Sequence, residues 1–234
     1  MPFLFLDPSY LLLMGPAIIL MLLTQWYVSS TYRKWSKVPA RTRLSGAEAA
    51  QRLASSGGLY GLRIEGVRGN LTDHYDPRQK VLRLSQGVHG SNSVAALAIA
   101  AHELGHAVQD QQGYAPLRLR SALVPAVNIG SNLGWILILI GLLIGMTELA
   151  WLGVIAFSAG AVFALATLPV EFNASARAKR LLKDAGLIST RDEQRGVNAV
   201  LNAAALTYVA ALVTALMQLL YFAMLVAGGG RRRI

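Results

Sequence analysis

Two histidines and a glutamate form the pattern in this chain that is best suited to chemistry, the pentapeptide HELGH at residues 102–106. The surrounding residues 93–110 are rich in alanine and leucine and contain no proline, so they predict a helix. Residues four apart lie on one face of a helix, and the imidazoles of His102 and His106 can therefore bind a single Zn²⁺. Glu103 lies beside that pair and can accept a proton from an attacking water molecule, as an HExxH site requires.

The same pattern has only three fixed positions, so it also occurs by chance, and the two histidines would then simply form a polar helix face. The context favours the metal site. The chain has four histidines, and two of them lie within this pentapeptide. The other two are His74, in a β-favouring run, and His89, in a predicted loop.

The composition predicts a membrane protein. The chain is 54% hydrophobic and 15% charged, which is too apolar for an ordinary soluble domain. Four windows without a charged residue account for the excess, and each is close to or above the roughly 20 residues that cross a bilayer core. We interpret them as transmembrane helices: 10–27, 124–146, 149–170 and 203–227. Because there is no cysteine, thiolate ligands are excluded and any zinc must be bound by histidine and carboxylate.

The placement of charge predicts the orientation in the membrane. The net charge is +10, and most of the 22 lysines and arginines lie between the first and second windows or between the third and fourth. By the positive-inside rule both of these stretches are cytoplasmic, and the protein is a multi-pass protein of the cell (plasma) membrane. The three arginines at 231–233 oppose this orientation. A basic surface beside anionic lipid explains the charge without a nucleic-acid partner.

The residues between the first two windows predict a small folded domain. Ser45 and Glu48 form a capping box, which indicates a helix to about residue 54. Three short β-favouring runs follow, separated by turn residues, and we expect them to form an antiparallel sheet: 62–67, 71–75 and 80–85. The last of these, as residues 81–85, is the candidate strand for pairing an extended substrate.

A catalytic zinc usually takes three protein ligands, so a carboxylate from farther along the chain is needed. Glu148 falls at the opposite membrane face from the HELGH helix under the predicted orientation, and Glu193 lies in a polar loop. Glu171 comes directly after the third window, on the same side as the helix. We therefore predict Glu171 as the third ligand; the alternative is an interfacial carboxylate that pairs with Arg177 or Lys179.

These motifs carry a resemblance to a known family. HELGH, followed across a transmembrane pair by Glu-Phe-Asn-Ala-Ser at 171–175, resembles the membrane zinc metallopeptidases of the YugP type, and residues 71–78 and 81–85 look like that family as well. The chain is similar, more distantly, to the gluzincins of the HtpX and CAAX-prenyl protease kind. The resemblance implies a zinc endopeptidase with one catalytic Zn²⁺ held by His102, His106 and Glu171. Glu103 would be its general base.

Ser175 departs from the more distant relatives, which have an aspartate at that position. A hydroxyl would support a ligating histidine more weakly than a carboxylate, so Ser175 is only a candidate outer contact of the metal site. The tetrahedral oxyanion of peptide hydrolysis also needs a donor. The sequence nominates His74, Tyr114 and Arg177 for contacts to that oxyanion or to the substrate, without ranking them.

The predicted fold class is α+β: four transmembrane helices with a small cytoplasmic gluzincin-like domain built from a short antiparallel sheet and the HExxH helix. The expected function is hydrolysis of peptide bonds in protein substrates at the cytoplasmic membrane face, by zinc-activated water. The alternative is a zinc-binding membrane scaffold or chaperone-like adaptor without hydrolytic activity.

Expected partners are a peptide or membrane-protein substrate, membrane lipid and a regulatory or adaptor membrane protein. The predicted segments are an anchor (1–28), the metallopeptidase domain (29–123), a transmembrane hairpin (124–170), a cytoplasmic helix with the third ligand (171–202), and a last transmembrane helix with a basic tail (203–234).

Overall fold

A computed structural model describes residues 8–230 of the 234. Seven helices and three short strands make up this part of the chain, so the protein is mostly helical with a small sheet. In chain order the elements are α1 (Pro8–Trp35), α2 (Gly46–Ser56), β1 (Arg63–Val67), β2 (His74–Asp76), β3 (Val81–Ser85), α3 (Gln86–His89), α4 (Val94–Gln111), α5 (Ala115–Ile144), α6 (Thr147–Asp184) and α7 (Arg191–Gly230).

The four long helices α1, α5, α6 and α7 are long and apolar enough to cross a membrane. The prediction of four such helices is therefore confirmed, although the bounds of the helices differ from those of the uncharged windows. In particular, α6 continues without interruption past residue 170, where we had predicted the end of a transmembrane segment. The arginines at 231–233 lie outside the described residues.

The chain divides into two compact units. One contains residues 25–118 and 169–206, and its core is formed largely by α2, the sheet and α4. The predicted capping box is present at the start of α2: the Ser45 hydroxyl accepts from the Glu48 amide, and the Glu48 carboxylate accepts from the Ser45 amide. Apolar side chains on α2 and α4 then face each other and bury that core, which holds α4 in place.

The sheet differs from the prediction. Its order is β1-β3-β2, with β1 and β3 parallel and β2 antiparallel to β3, so the expectation of a purely antiparallel sheet was wrong. The physical reason is the connection: the chain leaves β1, forms β2 at the far edge, and returns through a tight turn to place β3 in the centre. Residues 68–80 provide the dozen or so residues that a parallel pairing requires. β3 is almost fully buried and has a partner on both sides, so it cannot pair a substrate strand, and that prediction was wrong as well.

The described part of the other unit contains residues 8–24, 119–168 and 207–230. Its helices α5 and α6 touch backbone to backbone, because glycines face each other at the contact. A Cβ built on Gly134 would lie 2.7 Å from the Gly153 carbonyl oxygen, and the reverse distance is also 2.7 Å. Such small-residue contacts are typical of helix packing in membranes. Aromatic rings fill the space beside them, including Trp135, Phe157 and Phe222.

Candidate metal centre

Helix α4 carries both histidines of the pentapeptide, and Ser93 caps its start, because the Ser93 hydroxyl accepts a hydrogen bond from the Ala96 amide. Its neighbour at the site is the part of α6 that follows residue 169, and the two helices approach closely at Gly105. A Cβ at Gly105 would lie 2.5 Å from the Ala174 carbonyl oxygen. The glycine between the two histidines therefore allows the helix that carries Glu171 to reach them.

Three potential ligand atoms converge where these helices meet. One oxygen of Glu171, Oε2, lies 3.2 Å from His102 Nε2 and 3.5 Å from His106 Nε2. The ligand atoms of the three residues all lie within 4.8 Å of one another, and the two imidazole rings are nearly perpendicular. The Glu171 side chain is 2% exposed and each imidazole side chain is 11% exposed. Two imidazoles and a carboxylate match a known ligand set of catalytic zinc, so these residues fit a metal ion that keeps a position open.

Both imidazoles also have a hydrogen-bond partner on the ring nitrogen that faces away from Glu171. His102 Nδ1 lies 3.2 Å from the Ser175 hydroxyl, and His106 Nδ1 lies 3.0 Å from the side-chain oxygen of Gln109. Partners of this kind orient ligating histidines and select the tautomer that presents a lone pair to the metal.

Glu103 is bound to the edge of the sheet. Its Oε2 accepts a hydrogen bond of 3.1 Å from the backbone N–H of Tyr75 on β2. Two helical turns farther along α4, Asp110 accepts a 2.7 Å bond from the Tyr75 hydroxyl and also pairs with Lys80. The short strand β2 is thus attached to α4 at two points along one face of the helix.

The charges around the site change the pKa of two groups. Burial lowers the pKa of His106, but the hydrogen bond that its ring can donate to Glu171 and the negative charges of Glu103 and Glu171 outweigh that effect, so the pKa lies above its ordinary value. Burial raises the pKa of Asp73, and the charge of Glu103 adds to that effect, while hydrogen bonds from Ser85 act in the opposite direction. Negative charge is therefore concentrated around the imidazoles, as a cation site requires.

The residues nominated for oxyanion or substrate contacts lie in different surroundings. His74 is exposed on β2, and its Nδ1 is 2.9 Å from the Thr72 carbonyl oxygen. Arg177 donates through Nε to Asn173 and through Nη1 to Gln112, both over 2.6 Å. Its guanidinium lies over the ring of Tyr114, 5.8 Å from the ring centre. Arg177 and Tyr114 therefore contact each other. His74 is separate from them: neighbouring side chains on a strand point to opposite faces, so the His74 side chain points away from the face on which Tyr75 packs.

Sequence reasoning did not assign a role to Gln109, Tyr75 or Asp110. Gln109 follows His106 by three residues and Asp110 follows Glu103 by seven, so helical spacing alone would have placed each on the same face as its partner. No comparable signal marked Tyr75, because its contacts depend on how the sheet lies against α4.

Comparison with known proteins places the chain in a family. A family model described as "Putative neutral zinc metallopeptidase" matches residues 10–227. The chain belongs to this family of zinc metallopeptidases. It is also 48% identical over 205 residues to the protein named "Putative membrane protease YugP" of Bacillus subtilis (strain 168), which covers 88% of this chain and 91% of that protein. A search of solved structures gave no match.

Membership of the family confirms the predicted resemblance to the YugP type, and with it the prediction of an enzyme, a zinc metallopeptidase. The predicted zinc cofactor is confirmed at the same level, since the family is one of zinc enzymes and the chain holds a His-His-Glu group able to bind a metal ion. The relative's name and the four long apolar helices support a protease in a membrane.

Proposed function

We propose that this chain is a membrane-embedded zinc endopeptidase that hydrolyses peptide bonds of protein substrates at the cytoplasmic membrane face. The observation that supports this most directly is the convergence of ligand atoms from His102, His106 and Glu171 beside the carboxylate of Glu103. Hydrolytic zinc sites of this kind need three protein ligands, here two imidazoles and one carboxylate, and a second carboxylate nearby that can act as the general base.

His102, His106 and Glu171 would hold the ion. When bound, zinc would polarise the scissile carbonyl and make a water molecule more acidic. The Glu171 carboxylate contributes negative charge in a nearly water-free environment, where electrostatic interactions are strong. Ser175 and Gln109 contact the opposite nitrogens of the two rings, and both would keep the rings directed at the ion.

Glu103 would act as the general base. Its Oε2 is held by the Tyr75 amide, so the carboxylate has a defined position, and its other oxygen can accept a proton. Glu103 would take a proton from the attacking water molecule and deliver it to the leaving amine, which returns the enzyme to its starting state.

The outer edge of β2 would bind the substrate in an extended conformation. The Tyr75 amide points away from β3 and already donates to Glu103, so the Tyr75 carbonyl group, which faces outwards as well, would accept the hydrogen bond from the peptide. A peptide that pairs with this edge would run past Glu103 and bring a carbonyl group to the metal ligands. This assignment replaces β3, which lies in the centre of the sheet.

Arg177, Tyr114 and His74 were nominated as donors to the oxyanion. We assign Arg177 a supporting role, because two of its donor groups are used by Asn173 and Gln112. Tyr114 and His74 stay as candidates for contacts farther along the substrate. Peptide segments of membrane proteins are the proposed substrate class, and an adaptor membrane protein that delivers them is compatible with the proposal.

The cytoplasmic orientation is supported by charge. Thirteen lysines and arginines lie between the first two apolar windows, and six lie between the third and fourth. Both stretches would be cytoplasmic under the positive-inside rule. Their position next to anionic lipid would also favour this orientation.

The proposal is tested by mapping new protein N-termini in membrane fractions of cells that produce the wild-type chain or Glu103→Gln. We expect a set of cleaved fragments that is present with the wild type and absent with the variant, because the variant lacks the base and keeps the ligands. Glu65→Gln is the matched control, since Glu65 is a partly exposed carboxylate of β1 that pairs with Arg63 and Arg83. If the fragment sets with wild type and Glu103→Gln are identical while both bind zinc, the chain is a zinc-binding scaffold instead of a peptidase.

A further inference from the structure

A fully buried glutamine connects the two helices of the metal centre. Gln109 is on α4, three residues after His106, and its side chain is 0% exposed. All of its polar side-chain atoms make hydrogen bonds: the amide nitrogen contacts α6, and the oxygen contacts His106. Burying a polar group costs free energy unless its hydrogen bonds are made. The side-chain amide of Gln109 can therefore adopt only one orientation.

The orientation of the Gln109 amide follows from its neighbours on α6. Its Nε2 donates over 2.8 Å to the Val170 carbonyl oxygen, which can only accept. The same nitrogen donates over 3.0 Å to Asn173 Oδ1. Asn173 is itself oriented, because Arg177 donates to that Oδ1 over 2.6 Å and a guanidinium has no acceptor. The amide of Gln109 therefore cannot be turned round without placing its oxygen against two other acceptors, the Val170 carbonyl oxygen and Asn173 Oδ1.

The oxygen of Gln109 must consequently face His106 Nδ1, at 3.0 Å. An amide oxygen only accepts, so Nδ1 of the neutral ring has to carry the hydrogen. The other nitrogen, Nε2, then carries the lone pair, and this is the atom that lies beside Glu171. A metal ligand needs that lone pair, whereas the other tautomer would direct an N–H at the ion.

His102 is held in a less definite way. Its Nδ1 lies 3.2 Å from the Ser175 hydroxyl, and a hydroxyl can donate or accept. This contact is compatible with either neutral tautomer of His102. The two imidazoles of the site therefore differ on the side away from Glu171: the Gln109 oxygen can pair only with an N–H at His106 Nδ1, whereas the Ser175 hydroxyl can pair with either tautomer of His102.

We propose that Gln109 is the positioning residue of the metal centre, which holds His106 in its Nδ1–H tautomer and joins α4 to α6 next to Glu171. This inference rests on the proposed metal site and deepens it. The residue touches neither substrate nor metal, and it acts only through His106. In the metal-free protein the Glu171 carboxylate competes as an acceptor at Nε2, but its oxygen lies 3.5 Å away, farther than the 3.0 Å that separates Nδ1 from the Gln109 oxygen.

The test is nitrogen-15 NMR of histidine-labelled, metal-free protein in detergent, at an alkaline pH where the imidazoles are neutral. Only four histidines give signals, so each can be assigned by substitution. We expect His106 in the wild type to show the Nδ1–H signature. Gln109→Met removes donor and acceptor at similar size and should give a mixture of tautomers. Gln109→Glu retains an acceptor and should keep the wild-type signature.

Two controls separate positioning from a general loss of structure. Gln111→Met changes a neighbouring exposed glutamine of α4 that bonds to the Gly58 carbonyl oxygen, and it should leave His106 unchanged. Ser175→Ala should alter the signals of His102 alone. If Gln109→Met does not fold, Gln109→Ala and Gln109→Glu provide a second pair: the alanine variant also lacks the acceptor and should give the mixture, whereas the glutamate variant should retain the wild-type signature.

Zinc affinity, measured by competition with a zinc-binding dye, completes the test. We expect Gln109→Met to bind zinc about 10- to 100-fold more weakly than the wild type, and Gln111→Met to bind it equally well. A pure Nδ1–H signature in Gln109→Met, or wild-type zinc affinity in that variant, would overturn the inference while leaving the proposed peptidase intact. Loss of proteolysis is not used as a readout, so failure of the proposed function would be seen separately, in the fragment comparison.

Discussion

The backbone N–H of Tyr75 donates a 3.1 Å hydrogen bond to the carboxylate of Glu103, and this bond joins the edge of the sheet to the residue that we propose as general base. The Tyr75 hydroxyl makes a second bond, to Asp110, two turns along the same helix. One tyrosine thus sets the distance between the edge strand and helix α4 at both ends of the contact. The position of the proposed substrate edge relative to the metal ligands depends on this residue.

Removing the Tyr75 hydroxyl should loosen that attachment. We expect Tyr75→Phe to lower the free energy of unfolding by about 1.5–3 kcal/mol, the usual contribution of a hydrogen bond to a charged group. Unfolding by denaturant, followed by circular dichroism, measures the change. Tyr60→Phe is the matched control, because the Tyr60 side chain is 88% exposed and the substitution should change stability little. Equal stability of the two variants would show that the Asp110 bond does not hold β2.

The same hydroxyl predicts a dependence of stability on pH. Burial raises the pKa of Tyr75, and the hydrogen bond to Asp110 raises it further, above the ordinary value of about 10. The folded state therefore keeps a proton that the unfolded chain loses first. Stability from this group is fully present below pH 10 or so and is lost as the pH rises toward the folded pKa. We expect the wild type to lose stability more steeply than Tyr75→Phe above about pH 10, and parallel curves would contradict this.

Gly105 should not tolerate a side chain. A Cβ there would lie 2.5 Å from the Ala174 carbonyl oxygen, so Gly105→Ala has to push α6 away from α4. We expect a loss of about 1–3 kcal/mol in the free energy of unfolding, as for other overpacked cores, together with weaker zinc binding. Gly90→Ala is the control, since its Cβ would meet nothing closer than 3.9 Å. Unchanged zinc affinity in Gly105→Ala would show that the spacing of the two helices is not critical.

The helices and the identity of the residues that form the site could be predicted from sequence, because both depend on local patterns. Spacing along α4 places His102 and His106 on one face, and the end of an uncharged window places Glu171 at the start of a polar stretch. The structure brings these three side chains together. Ser45 and Glu48 likewise indicated the start of α2, because their spacing is that of a capping box.

The order of the strands could not be predicted in this way. The alternation of residues in β1 indicates a strand but does not identify its neighbour, and here the neighbour is β3 instead of β2. Strand pairing is decided by how the sheet covers α4, which is a property of the packed domain. The role of Gln109 was hidden for a related reason: its partners Val170 and Asn173 are more than 60 residues away in sequence.

Removal of the metal should destabilise the protein. A ligand that binds only the folded state adds about 2.7 kcal/mol at a free concentration 100 times its dissociation constant. After chelation we therefore expect the melting temperature to fall, and added zinc to restore it in the wild type and in Glu103→Gln. Glu171→Gln should show no such recovery, because it lacks the buried carboxylate at the centre of the ligand set. Zinc-dependent recovery in Glu171→Gln would remove Glu171 from the proposed ligands.

The absence of cysteine makes the proposed orientation directly testable, because every thiol in a variant is the one that was introduced. Tyr60→Cys places a thiol on an exposed loop of the unit that holds the metal centre, and Glu148→Cys places one at the start of α6. If the basic stretches face the cytoplasm, a membrane-impermeant maleimide should label Tyr60→Cys in inverted vesicles and Glu148→Cys in right-side-out vesicles. The cysteine-free parent should stay unlabelled in both. The reverse pattern would place the metal centre on the outer side of the membrane and the arginines at 231–233 on the cytoplasmic side. It would refute the proposed orientation without affecting the ligand assignment.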